Sequence, residues 1–467
     1  MKRGRLDGGI SKEDYEASER NGASNGSSFA AFDRASDDVL GGRKIVTAAS
    51  VSRPDDLALK HLTALNDAFV QNLKAQWTDN KRGDWSENMR EYINYARDVM
   101  AKFGARPGQL LTFGSGDCGQ LGHGVDEDDD LMVKFPRAVS LLQKLSIVRV
   151  MCGGLHSAAI TREGEVYTWG CNDDGALGRT GDENLPAKVE GFGPSRRAVL
   201  AVGGDSHTAV LTAGGQVYTW GAYKDKEGKM WCDSASPATS FKQKQSRPFL
   251  VKGLTNVVDL KCGSSFNVVR TSNGHVYSWG LGEMGQLART VDAKIRDDKD
   301  EYKVDMVYRE HLVPARVALG GDELPPVKAI GCGSYHTLVS LSANGYLYTC
   351  GLNNYGQLGV GNTDNCDTLQ LVEDLSGKND RPQKVTFEPS SVVIKAIASG
   401  SNHTLALTEG NHVYSWGYGD MLALGHGVEQ DENRPRRITK VGANTDILQV
   451  DAGGQHSAIL AAKNTSA

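Results

Sequence analysis

The sequence predicts an all-β fold, a β-propeller, from three observations. A unit of the form Gly-x-x-His-[Ser/Thr], followed after about a dozen residues by an aromatic strand ending in Trp-Gly or Cys-Gly, recurs along the chain. Glycine supplies 55 of 467 residues, which favours tight turns between short strands. Complementary halves of the unit stand at the two ends of the repeat region. A unit divided between both ends indicates a closed ring rather than an open stack.

Six aromatic strands mark the repeat, about 50 to 70 residues apart. They are LLTFG (110–114), VYTWG (166–170), VYTWG (217–221), VYSWG (276–280), LYTCG (347–351) and VYSWG (413–417). No long amphipathic pattern separates them, which is typical of an all-β domain and places that domain at 108–467. The segment 453–460 is a front half without a back half, and 109–114 is a back half without a front half. We expect the two to complete one blade together.

Two segments of different character precede the repeats. Residues 1–58 are rich in Gly, Ser, Ala, Asp and Arg, with few apolar side chains, so we expect a disordered arm. Residues 59–104 carry apolar side chains at helical spacing on both sides of a turn at 79–83. The first set is Leu62, Leu65, Phe69, Leu73 and Trp77, and the second is Trp85, Met89, Tyr92, Ile93 and Met100. The spacing predicts a short helical hairpin.

Bulk composition excludes several classes of protein. The net charge of −5 gives no reason to expect sequence-specific nucleic-acid binding. The eight cysteines contain no C-x-x-C pair, so we expect reduced thiols and a cytosolic or nuclear protein. No apolar run approaches the roughly 20 residues of a membrane span, and no signal peptide is evident. We therefore expect no membrane partner.

The recurring polar residues are expected to be structural. The repeat histidines are His156, His207, His336, His403 and His456, with Phe266 in the same slot of one unit. One histidine per blade cannot assemble the three or four ligands of a metal site, so we expect each to satisfy backbone groups near a turn. The G-x-G-x-x-G stretches 114–119 and 280–285 open no helix, and the adjacent Asp, Ser and His of 204–207 cannot form a triad. No cofactor, metal or catalytic residue is expected.

Departures from the repeat are better candidates for function. Asp205 stands in a turn where the other units carry Gly, Ser or another neutral residue. After Trp220 and Gly221 comes AYKDKEGKMW (222–231), a charged insertion with aromatic residues, in place of the usual G-x-L-G turn. We interpret it as a projection that contacts a partner, with a solvated loop as the alternative. A second insertion, 289–311, is mixed in charge.

The repeat resembles the regulator of chromosome condensation family, whose propellers exchange nucleotide on the small GTPase Ran. The motifs GxxHT…GxVYTWG, CNDDGALGR (171–179) and GLNNYGQLG (351–359) carry the resemblance. It implies that Asp205 lies on the face that binds the GTPase and that 222–231 is the family's β-wedge. The GTPase-contacting residues it implies are Asp205, Tyr223, Lys224, Asp225, Lys226, Glu227, Gly228, Lys229, Ser265, Asn402 and His403. The wedge would stabilise the nucleotide-free GTPase without covalent chemistry.

The chain also departs from this family pattern. Six repeats are recognisable where the family norm is seven, so either a blade is missing after His403 or the ring closes with six. Ser265 stands where the family has a second aspartate, and Asn402 beside His403 occupies the position of its face histidine. The segment 289–311 lacks the basic run that chromatin binding favours. The alternative function is therefore an exchange-inactive propeller scaffold at the nuclear pore or on chromatin.

The N-terminal arm resembles the importin-α-binding nucleoporin of the nuclear basket. The matching positions are Lys2, Arg3, Phe32, Ala35, Ser36, Val39, Leu40, Arg43 and Ile45, and the predicted helical hairpin resembles that family's middle segment. The resemblance implies that Lys2 and Arg3 enter acidic grooves of importin-α and promote cargo release. Together the two resemblances imply a nuclear protein, at the pore basket or in the nucleoplasm. Ran and importin-α are the expected partners, with nuclear-basket nucleoporins or nucleosomes as further ones.

Overall fold

The computed structural model describes residues 106–462, with gaps at 125–131, 233–242, 290–306, 308, 343–346, 355–357, 359, 361, 372–393, 402, 409 and 442–444. The predicted arm (1–58), the predicted helical hairpin (59–104), Asn402 and most of the insertion 289–311 lie outside the described residues.

The described strands form six four-stranded antiparallel units, which we number as blades 1 to 6. Blade 1 begins with β1 (Gly108–Ser115) and β2 (Met132–Ala138). Blade 2 contains β3 (Ile147–Cys152), β4 (His156–Thr161), β5 (Val166–Gly170) and β6 (Ala187–Val189). Blade 3 contains β7 (Ala198–Gly203), β8 (His207–Thr212) and β9 (Val217–Gly221). A small hairpin, β10 (Tyr223–Lys224) and β11 (Met230–Trp231), follows before β12 (Gln245–Leu250) completes this blade.

The remaining blades repeat this order. Blade 4 contains β13 (Val257–Cys262), β14 (Phe266–Thr271), β15 (Val276–Gly280) and β16 (Ala315–Arg316), followed by the hairpin β17 (Ala318–Leu319) and β18 (Asp322–Glu323). Blade 5 contains β19 (Val327–Cys332), β20 (His336–Leu341), β21 (Leu347–Gly351) and β22 (Cys366–Leu371). Blade 6 contains β23 (Ile394–Ser399), β24 (His403–Thr408), β25 (Val413–Gly417) and β26 (Glu432–Arg437). Short 3₁₀ turns lie at Ser140–Leu142 and Asp420–Leu422.

The two ends of the repeat region complete blade 1. The last strands, β27 (Ile447–Ala452) and β28 (His456–Ala462), pair with each other, and β28 pairs with β1 over seven residues from Gly108 to Gly114. A single pair, Gly108 with Ile147, joins blades 1 and 2 into one eight-stranded sheet. The predicted pairing of 109–114 with 453–460 is therefore confirmed.

The apolar core lies between neighbouring blades. The second strand of a blade is covered on both faces, so it reads as a continuous apolar run, and all six residues of β4 and of β8 are buried. Between blades 2 and 3, Ile160 and Val166 pack with Val210 and Trp220. Because the neighbouring blades cover both faces of these strands, apolar and polar residues no longer alternate along most of their length.

Among the described residues, blade 6 lies directly against blade 1. The His403 Nε2 atom lies 2.8 Å from the Ser457 hydroxyl of blade 1, and the Ser401 amide donates to the Gly453 carbonyl at 3.1 Å. Blades 6 and 1 are thus direct neighbours. Whether the ring closes with six or seven blades stays a prediction. Comparable backbone bonds link the turns of blades 1 to 5 in series, whereas among the described residues none links the turns of blades 5 and 6.

Candidate functional site

The Gly-x-x-His turns and the loops after Trp-Gly lie on the same face of the propeller. The residue that begins the second strand of a blade pairs with the glycine of the Trp-Gly or Cys-Gly strand, as His207 does with Gly221, His403 with Gly417 and, in blade 4, Phe266 with Gly280. We call this surface the turn face. It comprises the turns 153–156, 204–207, 263–266, 333–336, 400–403 and 453–456 and the loops that follow the third strands. Asp205 and the insertion after Gly221 therefore share one face.

The predicted wedge is a β-hairpin. Tyr223 pairs with Trp231 and Lys224 with Met230, and the segment between them is exposed except for the partly buried Asp225. The Asp225 carboxylate organises the tip. It accepts bonds from the amides of Glu227 (3.0 Å) and Lys229 (2.9 Å) and from the Trp231 indole (3.1 Å). Asp225 therefore holds the shape of the hairpin, and the charges presented to solvent are those of its neighbours.

The exposed side chains of the hairpin carry mixed charge. Lys226, Glu227 and Lys229 are exposed, and the Lys229 ammonium lies 4.6 Å from the centre of the Trp231 ring. The Lys224 ammonium forms a 2.6 Å ion pair with Asp174 of blade 2. Lys224 is thus already engaged at the base of the hairpin, whereas the other charges are presented to solvent.

Blade 4 holds the base of the hairpin. The Ser265 hydroxyl donates to the Lys224 carbonyl at 3.0 Å and lies 3.3 Å from the Lys224 amide. The Tyr223 side chain is 2% exposed and its hydroxyl accepts a bond from the Asn267 amide at 2.9 Å. Of the GTPase-contacting residues implied by the resemblance, Tyr223 and Ser265 are therefore supports of the hairpin, because both side chains are buried.

Asp205 lies beside this base and remains exposed. Its amide donates to the Ser264 carbonyl of blade 4 at 2.9 Å. The surrounding turns displace part of the hydration of the carboxyl and raise its pKa, whereas hydrogen bonding from Ser264 and the positive charge of Lys224 lower it. The structure thus brings together Asp205, Ser265 and the hairpin, as the sequence predicts.

A residue of blade 5 that the repeat pattern did not single out also reaches this group. Tyr335 is 39% exposed in the turn 333–336. Desolvation and the negative charges of Asp205 and Glu283 raise the pKa of its phenol, while hydrogen bonding with Ser264 lowers it. Tyr335, Ser264 and Asp205 therefore converge from three consecutive blades. The usable signal was a large aromatic residue at a turn position where the other units carry Leu, Ser, Asn or Gln.

His403 does not join this group. Its side chain is 4% exposed, and burial lowers its pKa to about 4, so it is neutral and turned toward blade 1 rather than the turn face. The neighbouring blade covers this side chain, so the structure does not present it on the turn face, and the implied contact with a GTPase stays a prediction. Asn402 lies outside the described residues.

Buried histidines link the blades in a repeated pattern. The Nε2 atoms of His156, His403 and His456 each lie 2.8 Å from a Thr or Ser hydroxyl of the next blade. That hydroxyl donates in turn to a carbonyl of the turn that follows the third strand, as Ser157 does to Gln120 at 2.8 Å. The partners are therefore side chains of a neighbouring blade and not the backbone groups that the sequence analysis expected.

Neither a membrane span nor a metal site is evident in the part of the chain that the structure describes. None of its helices has the length and apolarity to cross a membrane. No group of three or more His, Cys, Asp or Glu side chains in the same residues is arranged to hold a metal ion. The stretches 114–119 and 280–285 form turns, with Gly119 and Gly285 in the left-handed region.

A propeller whose irregular elements gather on one face is typical of a protein-binding module. Residues 109–464 match the RCC1-like domain, so the chain belongs to the RCC1-like family. It is 32% identical over 406 residues to the regulator of chromosome condensation of Xenopus laevis, covering 77% of this chain and 91% of that protein. It is 30% identical over 354 residues to the ultraviolet-B receptor UVR8 of Arabidopsis thaliana, covering 74% of this chain and 68% of that protein.

Solved structures show the same fold. The crystal structure of Prp20p from Saccharomyces cerevisiae, studied with its binding to Gsp1p and histones, matches with a TM-score of 0.56 at 23% identity. The match covers 79% of this chain and 95% of that one. This likeness confirms the predicted propeller fold, and the match of residues 109–464 with the 32% identity to the Xenopus laevis protein confirms the family predicted for the repeat. Because the relatives include a light receptor, family membership alone does not fix the partner.

Proposed function

We propose that this chain is a guanine-nucleotide exchange factor for the small GTPase Ran. The observation that carries the proposal is the hairpin 223–231, which stands on the turn face next to Asp205 where other blades have a short turn. The resemblance to the regulator of chromosome condensation family adds the partner and the expectation that the hairpin meets the GTPase near its phosphate-binding loop.

The turn face is suited to releasing nucleotide by binding the GTPase rather than by bond chemistry. The hairpin presents Lys226, Glu227 and Lys229 on a frame fixed by Asp225, so little ordering entropy is lost on binding. A surface that binds the nucleotide-free GTPase more tightly than the nucleotide-bound form weakens the hold on GDP by the same factor. The exchange factor needs no bond-making or bond-breaking group for this.

Release of labelled GDP from purified Ran tests the proposal. We expect the chain to accelerate release, and we expect Asp205→Ala to reduce the acceleration by roughly tenfold or more, equivalent to about 1.4 kcal/mol of lost interaction. Asp117→Ala is the matched control, because Asp117 is an exposed aspartate on the same face in blade 1, far along the chain from the hairpin. No acceleration by the unmodified chain contradicts the proposal and favours the exchange-inactive scaffold.

We further propose that the N-terminal arm binds importin-α and that the protein acts in the nucleus, in nucleocytoplasmic transport. The support is the sequence pattern of Lys2, Arg3 and the motif over 32–45. A tether of this kind would raise the local concentration of exchange activity where import complexes come apart. Capture of importin-α that survives Lys2→Ala with Arg3→Ala and deletion of 29–46 would overturn this part.

A further inference from the structure

A common bonding pattern joins the turn face of one blade to the next. At four junctions, the carbonyl six residues after the glycine of the Trp-Gly or Cys-Gly strand (or its Phe-Gly counterpart in blade 1) accepts a hydroxyl of the following blade, and at two of these it also accepts a tryptophan indole. Gln120 accepts from the Ser157 hydroxyl and the Trp169 indole, at 2.8 and 2.9 Å. Ala176 likewise accepts from the Thr208 hydroxyl and the Trp220 indole, at 2.8 and 2.7 Å.

The junction between blades 3 and 4 departs from this pattern. The hairpin 223–231 replaces the turn of blade 3 that would present the accepting carbonyl. In blade 4, Asn267 stands where the other blades have Ser or Thr. Its amide oxygen lies 3.2 Å from His207 Nε2, and its amide nitrogen donates to the Tyr223 hydroxyl at 2.9 Å. Tyr223 therefore supplies the partner that the missing turn no longer provides.

The substitution leaves one donor unpaired. Trp279 of blade 4 is fully buried, and its indole nitrogen has no hydrogen-bond partner among the described residues. The equivalent indoles of Trp169 and Trp220 donate to turn carbonyls of blades 1 and 2. Blade 3 has no equivalent carbonyl, because the hairpin replaces that turn. An unpaired buried donor destabilises the fold. The junction of blades 3 and 4 is thus less stable because of the hairpin. Such a loss of stability is typical of an element that is retained for binding.

We propose that Asn267 is a positioning residue that fixes the hairpin 223–231 through the Tyr223 hydroxyl, so that the hairpin meets its partner in one orientation. The role of the positioned hairpin in binding rests on the proposed exchange function, whereas the positioning of the hairpin by Asn267 does not. His207, Asn267 and Tyr223 are all buried, so breaking the bond between Asn267 and Tyr223 would leave buried polar groups without that partner, which is unfavourable in a core. The Tyr223 ring also packs against the His207 ring, with centroids 4.7 Å apart.

Hydrogen–deuterium exchange on the full chain tests the network without any partner. Asn267→Thr restores the side chain that the other junctions use, keeps a hydroxyl for His207 and removes the bond to Tyr223. We expect the amides of Asp225, Gly228 and Lys229 to exchange several-fold to roughly tenfold faster, the range for one lost hydrogen bond. Tyr223→Phe should give a similar increase, and the double variant no further increase, because both changes break the same bond.

Ser457→Ala is the matched control. The change removes the Ser457 hydroxyl of blade 1, which is bonded to His403 of blade 6. It therefore lowers the stability of the fold without touching the hairpin. Unchanged hairpin exchange in Asn267→Thr, fully additive effects of the two changes, or equal loosening by Ser457→Ala would overturn the proposal.

Release of GDP from Ran supplies the second readout. Asn267→Thr should slow the maximal release rate while Ser457→Ala leaves it near that of the unmodified chain. If the unmodified chain fails to accelerate release, the exchange function fails, and the positioning role is still decided by hydrogen exchange.

Discussion

At the scale of single residues, the repeat histidines act as neutral links between blades. Burial lowers the pKa of His156 and His456 to about 3, so each is neutral near pH 7. The Ser157 hydroxyl donates to the Gln120 carbonyl, so His456 Nε2 must carry the proton that it gives to Ser157. A histidine, a hydroxyl and a carbonyl thus form one directional chain at the junctions of blade 1 with 2, blade 2 with 3 and blade 6 with 1.

Ser157→Ala should lower the free energy of unfolding by about 1–3 kcal/mol. The change leaves the buried His456 donor without its acceptor and takes one donor from the Gln120 carbonyl. Urea unfolding followed by tryptophan fluorescence measures the loss. Ser195→Ala, at an exposed serine, should stay within about 0.5 kcal/mol of the unmodified chain. Equal losses in the two variants would contradict the linking role.

At the scale of elements, the hairpin 223–231 depends on a tight tip. Gly228 adopts φ +81°, a conformation that strains any residue with a Cβ, although a Cβ there would meet nothing within 4 Å. Its amide donates to the Asp225 carbonyl at 3.0 Å. The tip therefore requires glycine for its backbone conformation and not for space.

Gly228→Ala should weaken action on Ran while costing little overall stability. The left-handed conformation costs an alanine roughly 1–2 kcal/mol, which the exposed hairpin can avoid by changing shape. Gly253→Ala is the matched control, because Gly253 has φ +82°, equally open surroundings and a position outside the hairpin. We expect slower GDP release for the first variant alone. A similar decrease in both would show that the shape of the tip is irrelevant.

At the scale of the whole molecule, buried titratable groups at the junctions set the response to pH. The four histidines His156, His207, His403 and His456 have pKa values lowered by burial to about 3 or 4. Between pH 6.5 and 4 the unfolded chain binds more protons at these sites than the folded chain does. Their contribution to stability is therefore complete above pH 6.5 and is lost as the pH falls.

The buried carboxylate of Asp451 opposes this trend. The Asp451 carboxylate of β27 accepts a hydrogen bond from the Cys152 amide of blade 2 at 2.7 Å. Desolvation raises the pKa of Asp451 to about 7, although the bonds to Cys152 and Ala452 and the charge of Lys261 lower it. Between pH 3.8 and 7 the folded chain binds more protons at Asp451 than the unfolded chain does. Its contribution to stability therefore falls as the pH rises through this range.

Thermal melts across pH should show both effects. The Tm of the unmodified chain should fall between pH 6.5 and 4, because four histidines outweigh one aspartate. Asp451→Asn keeps an acceptor for the Cys152 amide and removes the buried charge. The variant should therefore have a Tm several degrees higher than the unmodified chain at pH 8 and the same Tm near pH 4. A Tm gain that is equal at both pH values would contradict the assignment of Asp451.

Much of the fold could be predicted because the repeat is a local pattern. Each unit carries its own strand and turn signals, and the divided unit at 109–114 and 453–460 predicts the closing blade without further information. Asp205 and the hairpin stood out for the same reason, since a departure is visible against five regular copies.

Contacts between blades were decided by the tertiary structure alone. Sequence spacing does not show that His403 turns to Ser457, that Tyr223 is buried under Asn267, or that Tyr335 converges with Asp205. These partners are 44 to 54 residues apart or farther, and burial between two packed sheets determines which side chain remains free to bind. The sequence by itself determined the propeller, the blade that its two ends build together and the location of its exceptions. The packing of neighbouring blades decided which of those exceptional residues face a partner and which support them, because the same polar side chain serves either role according to what covers it.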